Sequence, residues 1–263
     1  MEMKNLFDIA CNFSSDRFDK DLDAVIERAK INNVNKFLIV SASLNDFEKT
    51  YNIYKSNLKE AFFSIGTHPH HANEIDEEQI KNMRKMVGEY NPSCIGETGL
   101  DFFRNLSSHD EQTYAFEEQI KIAIDFNKPL YLHQRDSHSE FIKIISEYKD
   151  YLPKSVVHCF TGTQSELEDY LDLGFYIGLT GWVCDERRNV ELRQSIKNIP
   201  LDRLMLETDC PYLIPRNLDR KPKNNRNEPS FLPHIAKEIS GLMEITPSEL
   251  ADKTFDNSIK FFS

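Results

Sequence analysis

Residues 155–168, SVVHCFTGTQSELE, place a histidine inside a strand-length apolar run and follow it within a few residues by a helix start. SVVHCF (155–160) has the length and β-branched content of a buried strand, and SELE (165–168) has the spacing of a helix capping box. The same alternation recurs along the chain. NLFDI (5–9), NKFLIVS (35–41), AFFSIG (61–66) and SCIGE (93–97) lie before it, with PLYLH (129–133) following SCIGE; FYIGLT (175–180) and RLMLETD (203–209) lie after it. Between them are amphipathic stretches at helical spacing: Leu22, Val25, Ile26 and Ala29, then Phe116, Ile120, Ala123 and Ile124. Asn and Gly in NNVN and DLGF stand where helices should end. Eight strands each followed by a helix predict a (β/α)8 TIM barrel with extra C-terminal helices; a doubly wound open sheet satisfies the same pattern, since periodicity does not show closure.

The polar residues are placed unevenly. Glu97, His133, His158 and Asp209 each stand at or just past the end of a different apolar run, and GTHPHH (66–71) follows a fifth. Residues at strand C-termini of a parallel barrel converge on one mouth, where active sites lie. One such histidine would most often be a satisfied structural residue. Four metal-competent side chains at four strand ends point instead to a divalent-cation site with a mixed oxygen and nitrogen donor set. Such a site suits metal-assisted hydrolysis, with Asp209 as the general base. The chain has no nucleophile elbow, P-loop or HExxH. GTHPHH alone leaves open a cage, an anion clamp or a bare loop.

The 263 residues carry a net charge of −11, which excludes a protein coating nucleic acid through a broad basic surface. It does not exclude a nucleic-acid substrate held by a small site. No apolar run is long enough for a membrane span, and the five scattered cysteines without CxxC pairs fit reduced thiols in a cytoplasmic protein. No linker divides the chain, so residues 1–263 are expected to form one barrel domain, with monomer as the default state.

GTHPHH, IGETGLDFFRN, YLHQRD, VVHCFTG, GLTGWVCDERR, LETDCPYL and RNEP, in this order, resemble the TatD family of metal-dependent deoxyribonucleases. The resemblance runs from about residue 6 to the C-terminus. It implies an amidohydrolase-like barrel acting on phosphodiesters: a 3′–5′ exonuclease of single-stranded DNA, with RNA as a further candidate substrate, in DNA repair or degradation. It also implies Glu97, His133 and His158 as metal ligands, Asp209 as ligand or base, and Asp209 with Glu97 as the catalytic carboxylates. His68 and His70 would then hold phosphate oxygen, which makes GTHPHH a clamp, with His71 a solvent-facing neighbour. Mg2+ is the first choice of ion, with Mn2+ and Zn2+ as alternatives.

One stretch departs from the family pattern. Relatives carry D-x-H-x-H at the end of the first strand, and DIACN here keeps Asp8 but puts Ala10 and Asn12 at the histidine positions. One well-formed metal site is therefore expected. Arg135, Arg226 and Trp182 are further candidates for substrate binding, Trp182 by stacking a base. For the basic stretch RNLDRKPKNNRNEP (216–229), Arg226 and Glu228 are the chosen contacts. The alternative function is hydrolysis of a small-molecule amide, lactone or phosphoester; a barrel that only binds nucleic acid is disfavoured by the intact ligand set.

Overall fold

The computed structural model describes residues 3–57, 59–187 and 189–263; Arg188, at the end of the GLTGWVCDERR block, lies outside them. Eight strands among these residues pair in parallel and in chain order: β1 (Leu6–Cys11), β2 (Val34–Ile39), β3 (Ala61–Ile65), β4 (Cys94–Asp101), β5 (Leu130–Arg135), β6 (Ser155–Val157), β7 (Tyr176–Leu179) and β8 (Leu204–Leu206). A parallel bridge between Cys11 and Cys210, with Asn12 N–H donating to Cys210 C=O at 2.9 Å, brings the last strand round to the first. The open sheet is thereby excluded and the barrel borne out.

Helices α1 (Leu22–Ile31), α2 (Phe47–Ser56), α3 (Glu77–Tyr90), α4 (His109–Asp125), α5 (His138–Tyr148), α6 (Gln164–Asp172) and α7 (Val190–Ser195) alternate with the strands; α8 (Leu232–Leu242) and α9 (Pro247–Phe262) close the chain. The apolar stripes do as their spacing dictates. Val25, Ile26 and Ala29 of α1 and Phe116, Ile120 and Ala123 of α4 are buried against the strands. Asn33 and Gly174 take the left-handed conformation that ends α1 and α6. The capping box of α6 starts two residues earlier than SELE suggests: Thr163 accepts from Glu166 N–H and Glu166 reaches back to Thr163 N–H.

The barrel has two cores. The larger fills the shell between strands and helices. The smaller lies inside, where Phe7, Leu38, Tyr131, Val156, Tyr176 and Met205 meet Phe261 and Phe262 of α9. The C-terminal helix thus plugs one end with aromatic rings, leaving the opposite end, at the strand C-termini, for polar side chains. No helix among the described residues is long and apolar enough to cross a membrane.

Candidate metal and active site

Strand β4 is longer than its apolar run because it continues through Gly99, Leu100 and Asp101, paired with His133, Gln134 and Arg135 of β5. Its register slips between Ile95 and Thr98, and a bulge of this kind re-aims the side chains beside it. Gly96 sits there at φ +119°, where a Cβ would stand 2.2 Å from the Tyr131 carbonyl oxygen. Only glycine permits that approach. The result is Glu97, on a strand interior, turned into a cavity of about 480 Å3 at the mouth.

Three imidazoles converge on one oxygen of Glu97. Oε1 lies 2.7 Å from His158 Nε2, 3.0 Å from His133 Nδ1 and 3.2 Å from His68 Nε2. His133 Nδ1 and His158 Nε2 are 3.3 Å apart. Burial pushes the Glu97 carboxyl up, but His158, His68 and His133 outweigh it and hold the group well below the usual carboxylate range. A charged carboxylate facing two close nitrogens is the donor set of a divalent cation. The orphaned atoms agree: His133 Nε2 and His158 Nδ1 are buried without a hydrogen bond, each turned to the side away from Glu97.

His68 can be separated from that set by its tautomer. Its Nδ1 accepts the His70 backbone N–H at 3.0 Å, so the lone pair on that nitrogen is taken. Burial lowers its pKa to about 4, so near neutral pH the ring is uncharged and its one proton sits on Nε2. His68 therefore presents a donor to the cavity and has no lone pair there for a metal, although its position groups it with Glu97 and His133.

His70, from the 3-10 turn Pro69–Glu74, binds Asp101 Oδ2 through Nε2 at 2.7 Å. Asp101 is an organiser of the mouth. Its Oδ1 accepts from Phe103 and Arg104 N–H at 3.0 and 2.8 Å, and its Oδ2 also lies 3.6 Å from His133 Nε2. Burial raises its carboxyl, but the neighbouring His133 and His70 imidazoles carry it far below the usual range. His71, at the rim of the same cavity, is bonded to Glu74 at 2.7 Å.

Asp209 follows β8 with φ +56° and lines the same cavity. Burial pushes its carboxyl up to about 7, against the pull of His158. Asn12, at the second of the two departing positions, donates its side-chain N–H to Asp209 Oδ1 at 3.1 Å and to Cys210 C=O at 3.1 Å. What the family pattern makes a ligand is here a strut for the carboxylate. Ala10 is buried and offers nothing. Asp8, Cys11 and Cys210 form a second tight group, but Asp8 already accepts from Ala10 N–H, Thr208 N–H and Thr208 Oγ1–H. Its oxygens are thus engaged by the chain itself.

Among the remaining candidates, Arg135 and Trp182 line the cavity. Arg226 does not. It is buried away from the mouth, its guanidinium paired with both oxygens of Asp21 at 2.7 and 2.8 Å and lying 4.7 Å from the Phe18 ring centre. Glu228 is bound by Arg28 at 2.8 and 2.7 Å. These two residues of the basic stretch fasten the loop after β8 to α1, which corrects their assignment as phosphate contacts. Charge on a loop does not reveal which way it faces. Nothing in the sequence singles out Tyr212 and Leu106, which line the cavity and are 54 % and 62 % exposed, or Phe103, 55 % exposed beneath the Arg135 guanidinium at 4.0 Å. Large apolar side chains left in solvent around a polar cavity were the signal, and only exposure reveals it.

Comparison with known proteins finds that the family model described as TatD related DNase matches residues 7–263. A protein of Rahnella sp. named 3′-5′ ssDNA/RNA exonuclease TatD is 44% identical over 258 residues, covering 98% of each chain. One of the same name from Cronobacter sakazakii is 42% identical over 257 residues, 98% of this chain and 97% of that one. The crystal structure of a hydrolase of the TatD family from Entamoeba histolytica superposes with a TM-score of 0.88 at 28% identity, covering 100% of this chain and 99% of that one.

Proposed function

The chain belongs to the TatD related DNase family, and from that membership we propose that it is a 3′–5′ exonuclease of single-stranded DNA and RNA. Hydrolase chemistry and a divalent-metal requirement go with this family and fold; the substrate and polarity come from the names of its relatives. The single observation that carries the site is the convergence of His133 Nδ1 and His158 Nε2 on Glu97 Oε1. We assign the cation to Glu97, His133 and His158, with Asp209 at its side, and Mg2+ as the ion used. With Ala10 and Asn12 in place of histidines, one well-formed site is proposed.

When bound, the cation supplies positive charge that polarises a phosphoryl oxygen and acidifies water. The chain's own residues do the rest. Asp209 stands to take the proton of the attacking water, its carboxyl tuned by burial and steadied by Asn12. His68 donates its Nε2–H to a non-bridging phosphate oxygen without carrying charge. His70 holds Asp101, and Asp101 in turn steadies His133 and the Phe103–Arg104 turn.

The rim accounts for an unpaired strand. Tyr212, Trp182, Leu106 and the Arg135-covered ring of Phe103 offer flat or apolar surface. Bases splayed from a single strand can stack there, whereas bases inside a duplex are occupied with each other. We place the protein in the cytoplasm as a monomeric single-domain enzyme of nucleic-acid repair or degradation. The test is digestion of 5′-labelled single-stranded DNA with Mg2+ or Mn2+, wild type beside Glu97→Ala. A ladder shortening from the 3′ end and lost in the variant is expected; intact DNA with a metal-loaded wild type would overturn the assignment.

A further inference from the structure

Glu207 immediately follows β8, is fully buried, and belongs to none of the roles assigned above. Its two oxygens face different partners. Oε1 accepts the Cys159 backbone N–H. Oε2 accepts the Tyr131 hydroxyl at 3.2 Å and lies 3.4 Å from His158 Nδ1. That nitrogen is the buried orphan on the side of the ring away from Glu97. The fold makes room for this carboxylate: a Cβ at Gly178 on β7 would stand 2.6 Å from Oε1. The Tyr131 ring stacks on the His158 ring at 4.8 Å, so the imidazole is held in plane as well as in orientation.

A histidine that ligates a cation needs its lone pair on the metal side and its proton on the other nitrogen. Burying a carboxylate is costly unless it is used, and a neutral amide would serve Cys159 and Tyr131 equally well. Only the contact with Nδ1 calls for an atom that accepts and never donates. We propose that Glu207 is a positioning residue that keeps the His158 proton on Nδ1 and so leaves Nε2 open toward Glu97 for the cation. This rests on His158 being a ligand. Asp101 stands to His133 Nε2 as Glu207 stands to His158 Nδ1, but at 3.6 Å and shared with His70, so the support of His158 is the more exclusive one.

Glu207→Gln tests it. The amide oxygen keeps the Cys159 N–H, and the amide N–H2 then faces Tyr131 and His158. The tyrosine hydroxyl can rotate to accept, but Nδ1 must become an acceptor, which sends the ring proton to Nε2. In the full-length chain, calorimetric titration with Mn2+ should show affinity weaker by on the order of 10–100-fold in Glu207→Gln. Tyr131→Phe, which removes the hydroxyl and leaves the carboxylate, should bind like wild type. In 15N-histidine spectra of the Zn2+-loaded wild type, the His158 proton should sit on Nδ1. Unchanged Mn2+ affinity in Glu207→Gln, or a proton on Nε2 in loaded wild type, would overturn the proposal. The spectrum needs no variant, so a proton on Nε2 overturns the proposal even if Glu207→Gln fails to fold. His158→Ala separates the two levels. If it leaves Mn2+ affinity intact, the ligand assignment falls and this proposal with it; if it weakens binding and Glu207→Gln does not, this proposal alone falls.

Discussion

Phe7, Phe62, Phe255 and Phe262 pack ring on ring where α9 closes one end of the barrel, with centroid separations of 5.2 to 6.4 Å. At the other end Glu97, His133, His158 and Asp209 line one cavity, with Glu207 buried behind His158. The same eight strands support both. The aromatic end takes its left-handed turns mostly at Asn33, Asn91, Asn127 and Gly174, residue types that tolerate them, whereas the polar end uses a glycine bulge in β4 and left-handed residues at Cys159, Asp209 and Leu213. A left-handed non-glycine residue costs roughly 1–2 kcal/mol, so the mouth is built against local preference and the plug with it. Stability and activity should therefore respond to different ends.

The sharpest division comes from Glu97→Ala, which should reduce kcat/KM for single-stranded DNA by about a thousandfold or more, several kcal/mol of lost cation stabilisation. Its urea midpoint should fall little; a variant that unfolded instead would erase the distinction between the ends. Phe262→Ala should do the opposite. Removing a buried ring costs about 3–5 kcal/mol, read as a lower urea midpoint, with Mn2+ affinity of the folded protein unchanged. Arg226→Ala should behave like a plug variant despite its positive charge, costing about 1–3 kcal/mol of stability through the unpaired groups left behind. A loss of oligonucleotide affinity without loss of stability would return Arg226 to the substrate.

Tyr212→Ala probes the rim, with an expected rise in KM for oligonucleotides worth about 1–3 kcal/mol per stacked base and an unchanged rate on a chromogenic phosphodiester that has no base to stack. The smallest effect is in pH. Burial raises Asp8 from 3.8 to about 7, so the folded state holds its proton more tightly than the unfolded chain. Its contribution to stability is present below about pH 4 and lost as pH rises toward 7. Asp8→Asn should flatten the dependence of the urea midpoint over that window; an unchanged slope would show that Thr208 and Ala10 hold Asp8 charged.

The fold was legible because strand and helix periods are local properties, and Leu22, Val25 and Ile26 or Phe116 and Ile120 announce their buried faces without reference to anything distant. The strand-end residues Glu97, His133, His158 and Asp209 were legible for the same reason, each breaking an apolar run. Glu207 was not, since it reads as the polar end of RLMLETD beside a better candidate, and its meaning lies in His158 and Tyr131, 49 and 76 positions away. Arg226 was misjudged because its partner Asp21 is 205 residues distant. Tautomers were out of reach altogether: nothing in GTHPHH says that His70 N–H occupies the Nδ1 of His68.

The seam between β1 and β8 has a consequence for how the enzyme comes into being. Asn12 reaches across it to Asp209, so the proposed proton acceptor is secured by a residue from the opposite end of the polypeptide. A chain emerging from the ribosome holds Glu97, His133 and His158 long before residue 209 appears, and over that interval it lacks the proposed base. On the proposed mechanism, hydrolytic competence waits for the first strand and the last to meet, so ring closure would guard the nucleic acids around an unfinished nuclease.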